Sequence, residues 1–228
     1  MTTILRNMRL LETERQRDLY EQRLDSGRNP HLFPGSTLIA ALGNYWLPEC
    51  FEAVNVMFHH TFNEGYVVSF YEESDRCLNG HNGLGLMRNM AMWKALAEGW
   101  EYLLYVDNDV KPEKDVLVKL LQRPVPILCP IVVYADGKDY GLTLPNMPQG
   151  QGLAITTSVV TSFLLFETRV FAKFLDGFWE TAPGADESYH FAKLYAATGH
   201  RPWVDTDVVV TCMRGPTFPL DKHDAESA

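Results

Sequence analysis

The sequence is poor in cysteine and has no long hydrophobic run. Its four cysteines, Cys50, Cys77, Cys129 and Cys212, are scattered and never form a C-x-x-C pair. Zinc-ribbon and redox motifs therefore lose their main support, and reduced thiols in a cytoplasmic protein are expected. The longest apolar stretches, such as residues 159–166, are far shorter than the ~18 residues that a membrane helix needs. The sequence shows no charged start followed by an apolar core, so no secretory signal peptide is expected.

Basic residues are also scarce: the sequence contains 20 lysines and arginines and 29 acidic residues, which gives a net charge of -9. This balance makes nucleic acid an unlikely partner. Neither a G-x-x-x-x-G-K-S/T loop nor an H-E-x-x-H helix is present, so P-loop and zincin chemistry are unsupported. With 228 residues, 46% hydrophobic and 21% charged, the chain has the composition of one globular domain that can bury a sizeable core.

The first 30 residues differ from the rest of the chain. Residues 2–25 contain five arginines, five acidic residues and no glycine or proline, which predicts a helix. Its apolar stripe is incomplete, so it is either a solvated helix on the domain or a self-association helix that forms a homo-oligomer. A breaker cluster at residues 26–30 ends it. The predicted organisation is an N-terminal helical extension, 1–30, and a single domain, 31–228.

Strand and helix patterns alternate through the first part of the domain. The predicted strands have nearly continuous apolar sequences, which is typical of a mostly parallel sheet covered by helices on both faces, an α/β fold. The second part is less regular, with one or two strands predicted at 154–166 and again at 203–212. The predicted strands of the first part are residues 36–42, 66–71, 102–106 and 127–134, and the predicted helices of both parts are residues 48–60, 84–98, 112–122, 169–175 and 187–198.

Acidic residues follow two of these strands, where ligands bind in open α/β sheets. Asp107, Asn108 and Asp109 come directly after the strand at 102–106, and Glu72, Glu73 and Asp75 follow the strand at 66–71. In extended geometry residues i and i+2 point the same way, so Asp107 and Asp109 could face one site. Carboxylates suit Mg²⁺ or Mn²⁺. A solvated turn is the alternative, because Asp and Asn favour turns.

Further motifs lie around this one. Residues 79–83 read Asn-Gly-His-Asn-Gly, Met87 is followed by Arg88 and Asn89, residues 95–99 end in glycine, and residues 102–109 carry the Asp-x-Asp motif. With Asp186 and Glu187 opening a helix and the late strand at 204–210, this order resembles a nucleotide-sugar glycosyltransferase of the GT-A fold, similar to family 2. The resemblance covers about residues 36–213.

The resemblance implies a donor site in residues 31–134 and an acceptor half with a tail in residues 135–228. The donor would be a nucleoside diphosphate sugar, with UDP-sugar favoured, and Mn²⁺ or Mg²⁺ would bridge the diphosphate and the Asp-x-Asp motif. Asp109 would bind the metal directly, and Asp107 would contact the ribose, the metal or its water. Arg88 would reach the base or diphosphate unless it forms a surface ion pair. The implied donor-binding residues are Asn44, Tyr45, Glu72, Glu73, Asp75, Arg88, Asp107 and Asn108.

Several implied positions have an alternative interpretation. Cys212 stands near the place of the family's metal-binding histidine, but a thiolate is a poor ligand for Mg²⁺ and a buried inert thiol is the alternative. His223 or a water could complete the metal shell instead. Tyr45 and Trp46 could stack on a base or pack in the core. The stretch at 149–152 is interpreted as flexible and close to the sugar.

The acceptor is expected to be a hydroxyl of a glycan or of a small molecule. Asp186, with Glu187 second, is the candidate general base, although acids also favour helix N-termini without any catalytic role. Trp179 is either a sugar platform or a core anchor. Two other function classes remain. A nucleotidyltransferase would share the scaffold, although residues 43–46 lack a basic side chain. A non-catalytic nucleotide-sugar-binding module would explain the missing histidine.

Overall fold

The structure is a computed structural model of the chain. It describes residues 33–43, 45–73, 82–135, 149–156, 159–174, 178–179 and 187–213. The predicted helical extension at 1–30 lies outside the described residues. So do Asn44, Asp75, Asp186 and His223.

The described part of the chain contains eight strands, four α-helices and one 3-10 helix. The first α-helix begins with a proline whose fixed φ suits a helix start, and the second ends before Gly99, which has a φ of 80°. In chain order the elements are β1 (Phe33–Leu42), α1 (Pro48–Asn63), β2 (Val68–Glu73), α2 (Asn82–Glu98), β3 (Trp100–Asp107), β4 (Val110–Lys111), α3 (Val116–Leu121), β5 (Ile127–Tyr134), β6 (Leu153–Ile155), β7 (Phe163–Glu167), η1 (Thr168–Lys173), α4 (Glu187–Thr198) and β8 (Trp203–Cys212).

The eight strands form one sheet in the order β2-β1-β3-β7-β5-β8-β4, with β6 paired to β8. Strands β1, β2, β3, β5 and β8 point one way, because the pairs β1–β2, β1–β3 and β5–β8 are parallel and β7 runs antiparallel to both β3 and β5. Strands β4 and β6 run antiparallel to β8. The sheet is therefore mostly parallel, as predicted.

Apolar residues cover both faces of the sheet, since successive strand residues point to opposite sides. Leu103 and Tyr105 of β3 pack in a cluster with residues of α2, η1 and α4. Leu104 and Val106 pack on the other face with residues of α1 and α3. All four are fully buried, which explains why β3 has no polar face in the sequence.

The predicted α/β class with helices on both faces of the sheet is confirmed. Two predicted helices differ. The helix predicted at 112–122 covers only Val116–Leu121, and the two residues before the predicted helix form β4, which pairs with the end of β8. The helix predicted at 169–175 is the 3-10 helix Thr168–Lys173. Within the described residues, no helix has both the length and the apolar composition required to cross a membrane.

Candidate active site

Three neighbouring strands end level with one another at one edge of the sheet. Leu42, the last residue of β1, pairs with Glu73 on one side and with Asp107 on the other. Glu72 is exposed at the end of β2. The acidic residues at the ends of β2 and β3 therefore lie at the same carboxyl edge, where parallel strands place ligands.

The Asp107–Asp109 segment is a turn and not an extended strand. Strand β3 ends at Asp107, and β4 begins at Val110. The carbonyl oxygen of Asp109 accepts a hydrogen bond of 2.8 Å from the backbone N–H of Met213, directly after β8. The assumption of extended geometry through Asp109 is thus wrong, because these residues turn the chain from β3 toward β8. Both aspartates remain partly exposed at this edge.

Asn108 holds the loop that follows β1. Its side-chain Nδ2 donates to the carbonyl oxygen of Tyr45 at 2.7 Å, and its own carbonyl accepts from the N–H of Leu47 at 3.2 Å. Gly43 lies against this side chain with a φ of 130°, and a Cβ there would come within 2.7 Å of Asn108 Cγ. Asn108 therefore has a structural role at this edge, and contact with a donor remains a prediction for it. Tyr45 is 78% exposed beside it.

Arg88 is buried next to Asp107 and does not form a surface ion pair. Only 3% of the residue is exposed, and its guanidinium lies 3.5 Å from Asp107 Oδ1. The same guanidinium donates to Thr161 Oγ1 at 3.0 Å and lies 4.9 Å from the centre of the Trp179 ring. Arg88 thus places a positive charge behind the Asp-x-Asp turn.

Trp179 is a core anchor. It is 4% exposed, its indole N–H donates to Tyr105 Oη at 3.2 Å, and Tyr105 in turn donates to the carbonyl of Arg88 at 2.9 Å. The Asn89 side chain binds the backbone on both sides of it: Nδ2 donates to the Trp179 carbonyl at 2.6 Å, and Oδ1 accepts from the N–H groups of Phe178 and Trp179 at 3.0 and 2.9 Å. With its ring buried in this way, Trp179 offers no open face to a sugar.

Sequence reasoning missed Thr161 and Ser162, which lie directly before β7. The N–H of Asp107 donates to the Ser162 carbonyl at 2.8 Å, and Thr161 binds Arg88. The available signal was a pair of hydroxyl residues immediately before the apolar strand at 163–167, a pattern without any catalytic signature of its own.

The chain matches no protein-family model and no curated protein. Among solved structures, a glycosyltransferase involved in the glycosylation of the major capsid of PBCV-1 is similar with a TM-score of 0.52 and 13% identity, over 85% of this chain and 98% of that one. GalNAc-T7 with UDP, GalNAc and Mn²⁺ has a TM-score of 0.49 and 9% identity, over 78% of this chain and 44% of that one. The catalytic domain of Drosophila β1,4-galactosyltransferase 7 with xylobiose has a TM-score of 0.44 and 12% identity, over 84% of this chain and 78% of that one.

The similarity to the PBCV-1 protein supports a fold assignment, because its TM-score is above 0.5 and it covers nearly all of that protein. The chain has the GT-A fold. The resemblance seen in the sequence is confirmed at this level. In the GT-A sheet of this chain, the turn at 107–109 lies at the carboxyl edge.

Cys212, which the sequence resemblance places near the family's metal-binding histidine, is buried. Cys212 is 1% exposed and packs in the apolar cluster that contains Val110 and Val210, which agrees with an inert thiol. No three His, Cys, Asp or Glu residues of the described ranges are grouped so that they could hold a metal ion. Glu73 ends β2 and Glu187 opens α4.

The stretch at 149–152 is hydrogen-bonded to the beginning of β8. Gly150 N–H donates to the Thr206 carbonyl at 2.9 Å, and Gln151 N–H donates to Thr206 Oγ1 at 2.8 Å. Asp205, next in β8, is fully buried and binds Arg123 at 2.7 Å. Residues 149–152 are thus hydrogen-bonded to β8, and their predicted flexibility and closeness to the sugar remain predictions. The hydrogen bonds of residues 149–152 lie toward the amino-terminal end of β8, whereas the turn at 107–109 contacts the carboxyl-terminal end of that strand.

Proposed function

We propose that this protein transfers a sugar from a nucleoside diphosphate sugar, with UDP-sugar favoured, to an acceptor hydroxyl in a metal-dependent reaction. The observation that carries the proposal is the Asp107–Asp109 turn at the carboxyl edge of a GT-A sheet. The turn is fastened on one side to the loop after β1 and on the other to the end of β8. A charged site fixed at several points favours precise positioning of a ligand. The PBCV-1 protein, described as a glycosyltransferase, has the same fold over 98% of its length.

The donor set at this edge fits Mn²⁺ or Mg²⁺. Asp107 and Asp109 supply hard carboxylate oxygens, and such ions commonly bind through one or two carboxylates together with substrate phosphates. We therefore assign these two residues as the holders of the ion, and leave Cys212 out because its sulfur is buried. When bound, the ion would neutralise negative charge on the departing diphosphate.

The other residues at the edge bind and orient the donor in this proposal. Tyr45 exposes most of its ring beside Asn108, so a base could stack on it. Glu72 is exposed near the end of β2, and in this proposal it binds a ribose hydroxyl. Glu73, Asp75 and Asn44 stay as further donor-binding candidates from the sequence.

For the acceptor side we propose Asp186 as the general base, with Glu187 as the second candidate. A carboxylate there would take the proton from the attacking hydroxyl of a glycan or small molecule. The support is the sequence and the position of Glu187 as first residue of α4. We also propose a cytoplasmic location, since the four cysteines are scattered along the sequence without any C-x-x-C pair and suit reduced thiols, and a homo-oligomer through residues 1–30.

The second candidate function is a nucleotide-sugar-binding module without catalysis. The burial of Cys212 where the family has a metal-binding histidine favours it. Release of nucleoside diphosphate in the presence of acceptors distinguishes the two, because a binding module retains donor affinity and releases none.

The first experiment is a thermal-shift panel of UDP-, GDP-, dTDP- and CMP-sugars with and without Mn²⁺. A ligand that binds only the folded state raises the unfolding midpoint by mass action. We expect a UDP-sugar to raise the midpoint, and Mn²⁺ to increase that shift. If none of the four donors moves the midpoint under either condition, the proposed function is refuted.

A further inference from the structure

Ser162 has a buried hydroxyl with no protein partner at the candidate site. The residue is 5% exposed, and within the described residues its Oγ has no hydrogen-bond partner. Buried polar groups are nearly always hydrogen-bonded, because the lost hydration is not otherwise compensated. A hydroxyl of this kind is a candidate for binding a ligand when it also lies at the edge of the sheet where a ligand would bind.

The position of Ser162 places this hydroxyl beside Asp107. Residues Val106 and Phe163 are paired in the antiparallel β3–β7 ladder, and the Asp107 N–H donates to the Ser162 carbonyl at 2.8 Å. The backbones of Asp107 and Ser162 are thus bonded directly beyond the last pair of this ladder, which brings the two residues next to each other. The backbone bond holds Ser162 at the end of β3, beside the Asp-x-Asp turn.

The neighbouring hydroxyl is already engaged. Thr161 Oγ1 accepts the hydrogen bond from Arg88 at 3.0 Å, and the Arg88 guanidinium also lies beside Asp107. Of the two residues before β7, Ser162 is the one whose hydroxyl has no hydrogen-bond partner within the described residues. A serine hydroxyl can both donate and accept, which suits the hydroxyl and phosphate oxygens of a nucleotide sugar.

We propose that Ser162 is a donor-binding residue, whose hydroxyl forms a hydrogen bond with an oxygen of the nucleotide sugar next to Asp107. This inference rests on the proposed function. The bond would form only in the complex, because in the free protein the hydroxyl has no protein partner among the described residues. The removal of the hydroxyl should therefore affect folding and binding differently.

The test compares Ser162→Ala with Thr37→Val. Thr37 Oγ1 is likewise buried and without a partner in the described residues, but it lies five residues before the end of β1, about 16 Å from the edge. We expect both variants to unfold at the midpoint of the wild type or higher, since each loses an uncompensated hydroxyl. Calorimetry should show an affinity for the nucleotide sugar about three- to tenfold weaker in Ser162→Ala, and unchanged in Thr37→Val.

Titration of the nucleoside diphosphate alone locates the bond. If Ser162→Ala loses affinity for the nucleotide sugar only, the hydroxyl binds the sugar. If the variant loses affinity for both ligands, the hydroxyl binds the diphosphate or the nucleoside. Either result supports the proposal. Unchanged affinity in Ser162→Ala overturns it, as does a midpoint well below that of Thr37→Val, which would mean that the hydroxyl already binds an ordered water. If Ser162→Ala does not fold, Ser162→Cys provides the same test with a weak S–H donor. If the wild type binds no nucleotide sugar, the proposed function itself fails.

Discussion

The replacement of Asn89 by alanine tests whether α2 holds the Phe178–Trp179 segment. The side chain is 7% exposed and makes three hydrogen bonds to that backbone, at 2.6, 2.9 and 3.0 Å. At a net value of about 1 kcal/mol for each bond, their loss lowers the free energy of unfolding by about 3 kcal/mol. The better helix propensity of alanine returns about 0.6 kcal/mol. We therefore expect a net loss of about 2–3 kcal/mol.

Urea denaturation measures this loss. With a slope of about 2 kcal/mol/M, the midpoint of Asn89→Ala should fall by about 1–1.5 M while the slope stays the same. Asn55→Ala is the matched control, because Asn55 occupies the interior of α1 as Asn89 occupies the interior of α2. The control should be neutral or slightly more stable. A midpoint for Asn89→Ala within error of the control would refute the assignment of these three bonds.

Three further outcomes are expected. Asp109→Ala should abolish the Mn²⁺-dependent part of nucleoside diphosphate binding. If calorimetry shows that the wild type binds the nucleoside diphosphate equally well with Mn²⁺ and in EDTA, the metal is removed from the proposal. Asp186→Asn should bind donor normally but transfer sugar about 10²–10⁴-fold more slowly; transfer at the native rate would exclude Asp186 as the base. Burial raises the pKa of the Cys129 thiol to about 12 and raises the pKa of Tyr105. The unfolded chain therefore releases protons first as the pH rises above about 9, and the free energy of unfolding should decrease. Urea midpoints at about pH 8 and about pH 10.5 measure this effect, which Cys129→Ala should reduce, and equal midpoints would contradict it.

Much of the fold was predictable from apolar periodicity and from the residues that start and stop helices. The strand at 127–134 and the helix at 187–198 have the predicted bounds, because a continuous apolar run and a terminal glycine are local signals. Strand β4 was not predictable. Its two residues are extended only because they pair with Thr211 and Cys212, a contact between parts of the chain about 100 residues apart that no local pattern records.

The candidate site was predictable in position but not in its internal contacts. The Asp-x-Asp motif after an apolar strand indicated the carboxyl edge, and the strand register agrees with it. The burial of Arg88 could not be predicted, because it depends on Trp179 and Thr161, which are more than 70 residues away in the sequence. Arginines are mostly exposed in proteins, so a surface ion pair remained an alternative for Arg88, and the structure shows that this alternative is wrong. The role of Asn89 was hidden for the same reason.

The location of β3 within the sheet has a consequence for the dynamics of the site. The strand lies between β1 and β7, and its last N–H group, that of Asp107, is bonded to Ser162. Amide hydrogens in central strands exchange with solvent only in rare, nearly global opening events, whereas those of loops exchange through small local fluctuations. The amide of Asp107 should therefore belong to the slowest class in the molecule. A carboxylate attached to such a slowly exchanging segment is already ordered before a ligand arrives, so binding there loses little conformational entropy.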